Sequence, residues 1–442
     1  MRGRSSLAVV LVGLCLAAVF AAAWVRLTGT TPTEARAERI AAVDRTAYTL
    51  AGDDLTRAEA LGRIERRMEI TGAVWTPATL LILLVTGLAA RMRDTVLRRA
   101  RNVWLQGYGF VLLALGAVRL MELPLGLWGH ATALKYRLSV QGWASWFGDV
   151  AKSFVLEWAI GGLIVVVLMW IIRRAGERWW IWFWGVAMGI VVAGIFISPY
   201  VIDPLFNRFT PMQQADPALV AQLEKVVARS GMTIPPERMF VMQASAKWTE
   251  LNAYVTGFGA SKRVVVWDTT IAHSSPEEIA FIFAHELGHY ALGHVVFGTV
   301  LTCLALLPFF WLGDFGARLL ISRYGAAWRV GSIADWGGVV VLALALSVIS
   351  VLSAPITNAY SRALEHDADV YGQEAVHGIV ANPQAVGQRS FDILGQDSLD
   401  DPAPHPIFEW WFDTHPTIRY RAAFARAYDP WAAGEQPKYF VR

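Results

Sequence analysis

A mostly α-helical, multi-pass membrane fold is predicted by three features of this 442-residue chain. Hydrophobic residues make up 55% of it and charged residues only 17%, where soluble domains carry about 25% charge. Seven apolar segments are long enough to cross a bilayer, for which about 20 residues are needed. They run over 7–25, 70–90, 103–120, 154–172, 179–199, 295–312 and 336–356. Between the fifth and sixth the composition turns globular, and two short β-branched runs predict a small sheet. This divides the chain into 1–199, with helices 1–5 and a charged helical hairpin at 26–69, and 200–442, which holds the polar domain and helices 6 (295–312) and 7 (336–356).

Each segment has its own character. The first follows Arg2 and Arg4 and ends in Ala21, Ala22 and Ala23, the layout of a signal peptide; its length favours a retained span. Gly, Pro or Arg119 interrupt the third and sixth, which therefore need protein or water as neighbours. The loop over 121–148 is expected to pack near an opening. Trp179, Trp180, Trp182 and Trp184 mark an interfacial belt at the fifth. A net charge of +3 gives no reason to propose nucleic acid as a partner. Cys15 and Cys303 lie in separate apolar runs, which excludes a disulfide framework.

In the polar domain, Asp216-Pro217 opens a helix that Ser230-Gly231 closes. Strands are expected over 239–244 and 263–268. The stretch before the second, Asn252-Ala253-Tyr254 and onward to Gly259, either holds a peptide by strand addition or forms an ordinary hairpin.

The chemistry centres on SPEEIAFIFAHELGHYALGH, residues 275–294. Ser275 and Glu278 fit a capping box, and Pro276 suits the first helical position. His285 and His289, four apart on a helix, share a face and suit a divalent metal, with Glu286 beside them as a general base. A hydrolytic zinc site needs three protein ligands and one open position. The extended motif HExxHxxGxxH is not met, because Leu292 and Val295 occupy its glycine and third-histidine positions. Glu365 is the best third ligand: Asp369 lies one turn further on the same face and suits a hydrogen bond to a ligand imidazole. Arg362, one turn back, is placed to pair with either acid, and His294 and His366 are read as non-ligands.

Five motifs in order, PLFNRFTP (204–211), NAYVTGFGASKRVVVWDT (252–269), HELGH (285–289), SRALEHDAD (361–369) and THPTIRYR (414–421), resemble those of the type I CAAX prenyl endopeptidases, integral-membrane zinc proteases of the gluzincin class. The resemblance implies a barrel of seven transmembrane helices around a large chamber, with a zincin-like protease domain facing inward. It implies one zinc ion per chain on His285, His289 and Glu365, with Glu286 as base and Asp369 behind the ligands. It also places Asn252, with its neighbours Ala253 and Tyr254, on the substrate backbone, and His415 and Arg421 near the scissile carbonyl. The partners implied are a peptide or protein substrate, lipidated in the family, and the lipid bilayer; the setting expected is a bacterial inner membrane.

Topology pulls against part of this. Arg91, Arg93, Arg98, Arg99 and Arg101 after the second segment, and Arg173, Arg174 and Arg178 after the fourth, belong on the cytoplasmic side. Seven crossings then put the metal domain outside the cytoplasm, where prenylated proteins are not expected. Two alternatives therefore stand beside a CAAX-type protease. One is a quality-control metalloprotease acting on unprenylated membrane proteins. The other is a non-catalytic chamber binding lipid or hydrophobic peptide.

Overall fold

The computed structural model describes residues 29–440 apart from 258, 260 and 261, so the first predicted span lies outside the described residues. Helix α1 (Pro32–Val43) is followed by α2 (Gly52–Val85), α3 (Leu88–Arg99), α4 (Val103–Tyr136), α5 (Trp143–Ala175) and α6 (Trp179–Ile197). The polar domain then contributes β1 (Phe209–Pro211), α7 (Pro217–Arg229), β2 (Met239–Met242), β3 (Ala253–Thr256), β4 (Arg263–Trp267) and α8 (Pro276–Ala291). Next come α9 (His294–Trp328), α10 (Trp336–Ala375), α11 (Pro383–Ser398) and α12 (Ile418–Ala427).

Among the described residues, five helical stretches are long and apolar enough to cross a membrane: 52–85, 103–136, 143–206, 294–328 and 336–375. The third contains two of the predicted segments, because α5 and α6 are joined by a single 3₁₀ turn at Gly176–Arg178. Helix α2 starts at Gly52, well ahead of the apolar segment predicted from residue 70, so the charged stretch and the span form one helix. Gly87, at φ +69, then turns the chain into the basic helix α3. Helix α4 runs through Pro124 to Tyr136, so much of the expected loop over 121–148 is helical. One proline removes a single N–H from a long helix that its neighbours support, and the helix survives.

Helices α2, α4 and α5, with the segment 247–250, wall a cavity of about 1110 Å³. Its lining mixes Leu61, Trp146 and Phe154 with the ion-paired Arg119 and Glu157. A large chamber within the helices is thus part of the fold.

Both expected strands form, in a four-stranded sheet of order β1-β2-β4-β3. Strands β2 and β4 are parallel, while β1 pairs β2 and β3 pairs β4 antiparallel. Residues 253–256 do make a hairpin with β4, and β3 is also the edge of the sheet. Val255, paired with Val264, turns its carbonyl to the Tyr290 hydroxyl, 3.2 Å away. That edge therefore faces α8.

Helix α8 begins with the capping box read from the sequence: Glu278 N–H donates to Ser275 Oγ (3.3 Å) and Ser275 N–H to Glu278 Oε2 (2.7 Å). It is apolar nearly all round, and Ile279, Phe281, Phe283 and Leu287 are buried in the core beneath the sheet. Glycines let α10 lie close against it. A Cβ on Gly372 would stand 3.0 Å from the backbone nitrogen of His285, and one on Gly288 would stand 3.1 Å from Tyr371.

Gly372→Ala should therefore force the two site-bearing helices apart, since backbone on a packed helix cannot swing aside. Overpacking of this kind costs about 1–3 kcal/mol. The expected result is a lower melting temperature in detergent; an unchanged one would refute the tight contact.

Candidate metal centre

Three donor atoms from α8 and α10 converge. His285 Nε2 lies 3.2 Å from His289 Nε2 and 3.2 Å from Glu365 Oε2, and His289 Nε2 lies 3.4 Å from Glu365 Oε1. Each imidazole commits its other nitrogen elsewhere. His285 Nδ1 donates to Asp369 Oδ1 at 2.8 Å, and His289 Nδ1 meets His294 Nδ1 at 3.1 Å. Two ring lone pairs and a carboxylate then face one point. Glu365 Oε2 is buried without a hydrogen-bond partner, and a cation satisfies such an atom. The donor set, two imidazoles and one carboxylate, fits a hydrolytic metal with one position left open.

Electrostatics lead to the same place. Burial disfavours charge on His285, but the Asp369 and Glu365 carboxylates outweigh it and raise the imidazole to about 10. A site that holds a proton so firmly is one where positive charge is stabilised. Burial, reinforced by His285, lowers His289 to about 3, so its lone pair stays free at neutral pH. Glu286, half-buried next to His285, is pushed up by burial to about 7. Partial desolvation also lowers the His415 imidazole below its ordinary value.

The tail completes the arrangement. Arg421 forms a two-pronged pair with Asp369, Nε to Oδ2 at 2.9 Å and Nη2 to Oδ1 at 2.7 Å, and both residues are buried. Its guanidinium lies over the Phe391 ring, 4.5 Å from the centroid. His415 stands apart from it, more than half exposed, with Nε2 3.4 Å from Glu365 Oε1. The Thr414 hydroxyl lies 2.9 Å from His415 Nδ1; donating there, it leaves Nε2 as the N–H that faces the cleft.

The expected pairing of Arg362 with Glu365 or Asp369 does not form. Its Nη1 donates to the carbonyls of Glu409 and Asp413, tying α10 to the loop before α12, and Arg421 takes Asp369 instead. Asn252 is exposed at the entrance to β3, with its carbonyl held by Trp267 N–H and the Thr270 hydroxyl. The side chain of Ala253 is buried in the core, and Tyr254, half-buried, packs against the cluster of Met242, Ala244 and Val265. His294, read from the sequence as a non-ligand, stays outside the donor cluster but stands against one of its imidazoles. The signal for it was its spacing: five residues after His289, across the turn at Gly293 (φ +69), it is returned toward the ligand.

The profile of Peptidase family M48 matches residues 213–429, and that of the CAAX prenyl protease N-terminal region, five membrane helices, matches 41–208. The uncharacterized metalloprotease YhfN of Bacillus subtilis is 32% identical over 346 residues, covering 78% of this chain and 79% of that protein. CAAX prenyl protease 1 of Saccharomyces cerevisiae is 30% identical over 255 residues, and its homolog in Oryza sativa subsp. japonica 31% over 230; the chain spans about half the length of each, 52%. The crystal structure of S. mikatae Ste24p shares the fold, with a TM-score of 0.73 at 20% identity over 95% of this chain and 98% of that one.

Removing the partner of a ligand imidazole typically weakens metal binding about 10–100-fold. His294→Ala should do so, and Asp369→Asn more severely because Arg421 is then left buried without its counter-charge. Chelator competition reads the affinity directly, and wild-type retention by His294→Ala would show that its contact with His289 carries no weight.

Proposed function

We propose a reaction for a chain that belongs to peptidase family M48, is a multi-pass membrane protein, and is a metalloendopeptidase of CAAX prenyl protease type. The metal we assign is zinc, held by His285, His289 and Glu365. When bound, it supplies a water acidified to about 7 and a Lewis acid for the scissile carbonyl. The observation that carries this reading is the convergence of those three donors within 3.4 Å beside a half-buried Glu286.

The protein's own residues do the rest. A substrate strand lies along the outer edge of β3, where backbone groups supply affinity without demanding a sequence. Asn252, exposed at the start of that edge, fixes the strand's register. Glu286 takes a proton from the attacking water and delivers it to the leaving amine; an acid raised to about 7 suits both halves of that transfer. His415 Nε2–H donates to the oxyanion, being the exposed donor next to Glu365. Arg421, bound on both prongs by Asp369, positions His285 through that carboxylate.

The likeness to CAAX proteases suggests lipidated substrates, but one contact set favours unlipidated ones. Arg93 reaches Asp335, Arg329 reaches Asp94, and Arg173 Nε donates to the Ala334 carbonyl. The basic loops after α2 and α5 thus meet the α9–α10 connection on one face. Positive charge assigns such a face to the cytoplasm, in a bacterial inner membrane by our reading, and the metal centre to the opposite side.

Three outcomes test this. Glu286→Gln should keep its metal and lose peptide cleavage; normal turnover would remove Glu286 from the mechanism. Chelation should abolish cleavage and zinc restore it, with failure of zinc to restore activity counting against that ion. His415→Ala should lower kcat by about 10²–10³-fold with KM little changed, whereas a rise in KM alone would make it a binding residue.

A further inference from the structure

The positive charge of the molecule is gathered where helix α3 meets the α5–α6 turn and the α9–α10 connection. Residues 88–105, 173–179 and 314–336 hold eleven arginines and four carboxylates, with no lysine or histidine. That is an excess of seven positive charges against +3 for the whole chain, so the remainder is net negative.

The arginines fall into two groups. Four are held by the protein. Arg93 pairs with Asp335 at 2.6 Å and donates to the Arg329 carbonyl at 2.7 Å, and Arg329 pairs with Asp94 at 2.9 Å. Arg318 pairs with Asp314 at 2.8 Å, and Arg173 donates to the Ala334 carbonyl at 3.2 Å. These contacts bind the connections together and occupy three of the four carboxylates. The other seven point away from the protein. Arg91, Arg98, Arg99 and Arg101 on and after α3, Arg174 and Arg178 around the α5–α6 turn, and Arg323 on α9 are all exposed. Among the described residues their side chains make no hydrogen bond and no ion pair.

Apolar side chains are interleaved with them. Leu88 and Leu97 stand exposed on α3, Trp104 and Leu105 follow Arg101, and Leu319 and Tyr324 flank Arg323. The other side of α3 is anchored, with Ala89 and Val96 packed in the apolar helix cluster. Exposed Leu, Trp and Tyr set among cations make up a surface that lies in the headgroup layer of a bilayer. The planar fork of a guanidinium matches two oxygens of a phosphate. A zwitterionic headgroup brings its own cation and leaves the excess charge in place, whereas an anionic one neutralises it.

We infer that this face binds anionic phospholipid headgroups, with Arg98, Arg99 and Arg101 from one connection and Arg174 and Arg178 from another holding the phosphates. An orientation signal needs only basic loops; the separation into an inner, paired set and an outer, unpaired set from three parts of the chain is what points to a ligand. The inference stands on the membrane fold alone, whatever the reaction and whichever side the face occupies.

Native mass spectrometry tests it on the full chain in detergent, exposed to equal amounts of phosphatidylglycerol and phosphatidylcholine. Wild type should retain phosphatidylglycerol in preference. Arg98→Gln/Arg99→Gln/Arg101→Gln should lower that preference roughly tenfold or more. Arg174→Gln/Arg178→Gln should do the same from a different connection, which guards against one variant failing to fold. Arg63→Gln/Arg67→Gln/Lys225→Gln removes as much charge elsewhere and should leave the preference intact. Equal retention of the two lipids by wild type overturns the inference whether or not any variant folds. An equal loss in the Arg63/Arg67/Lys225 variant overturns it too, because net charge and not this face would then be the cause.

Discussion

The structure turns on a buried carboxylate. Asp369 is 3% exposed and sits between His285, on α8, and Arg421, on α12. An isolated carboxylate in such a place would carry a desolvation penalty of several kcal/mol. Three charge-assisted hydrogen bonds offset it, two from one guanidinium and one from the imidazole. Because the donors come from elements 84 and 52 residues away, satisfying Asp369 closes the polar domain and orients the His285 imidazole, a candidate metal ligand, in the same step. Removing either donor leaves a buried charge, so folding and metal geometry are not separable here.

This node works only because α8 and α10 approach unusually closely. Side chains of ordinary size at 288 and 372 would hold the helices apart, and Glu365 would fall short of the two imidazoles. Two glycines therefore set the spacing of the three candidate donors as surely as the donors' own positions in sequence do. Their cost in backbone entropy is carried by burial: Phe281, Phe283 and Leu287 on one helix and Val370 on the other are almost wholly removed from water.

How much of this could be read in advance follows from which forces are local. Capping, helical periodicity and the four-residue spacing of His285 and His289 are short-range, and each was legible. Glu365 and Asp369 were legible because they too stand one turn apart. Arg421 has no local signature, and only its place in THPTIRYR linked it to the site. The partner of Arg362 was misread because helical spacing brings it near two acids, while the tertiary fold offers uncapped carbonyls that lie closer. The extents of α2 and α4 were missed for a related reason. The ends of the apolar runs were taken as the ends of the helices, but a long helix supported by neighbours continues past them through charge and proline. The contacts of α1 with α10 and the C-terminal segment involve residues more than 300 apart, and nothing in either sequence stretch announces them.

Helix α10 shows why a membrane protein can hold such a centre at all. Its first half, from Trp336 through Ala345, packs in the apolar helix cluster, and its second half carries Glu365, His366 and Asp369 in the polar domain. A single rigid rod thus fixes the ligands relative to the wall of the chamber. Ridges of small residues tighten that anchoring: Gly313 on α9 leaves room for Leu346, and Gly107 on α4 leaves room for Trp336. Any tilt of the rod within the bilayer would move Glu365 against His285 and His289, which belong to a different helix. The close glycine contact, the Asp369 node and the attachment of α1 all grip α10 in the stretch where it leaves the apolar cluster. They resist that one motion, and the spacing of the three candidate donors is therefore insulated from the membrane half of the helix.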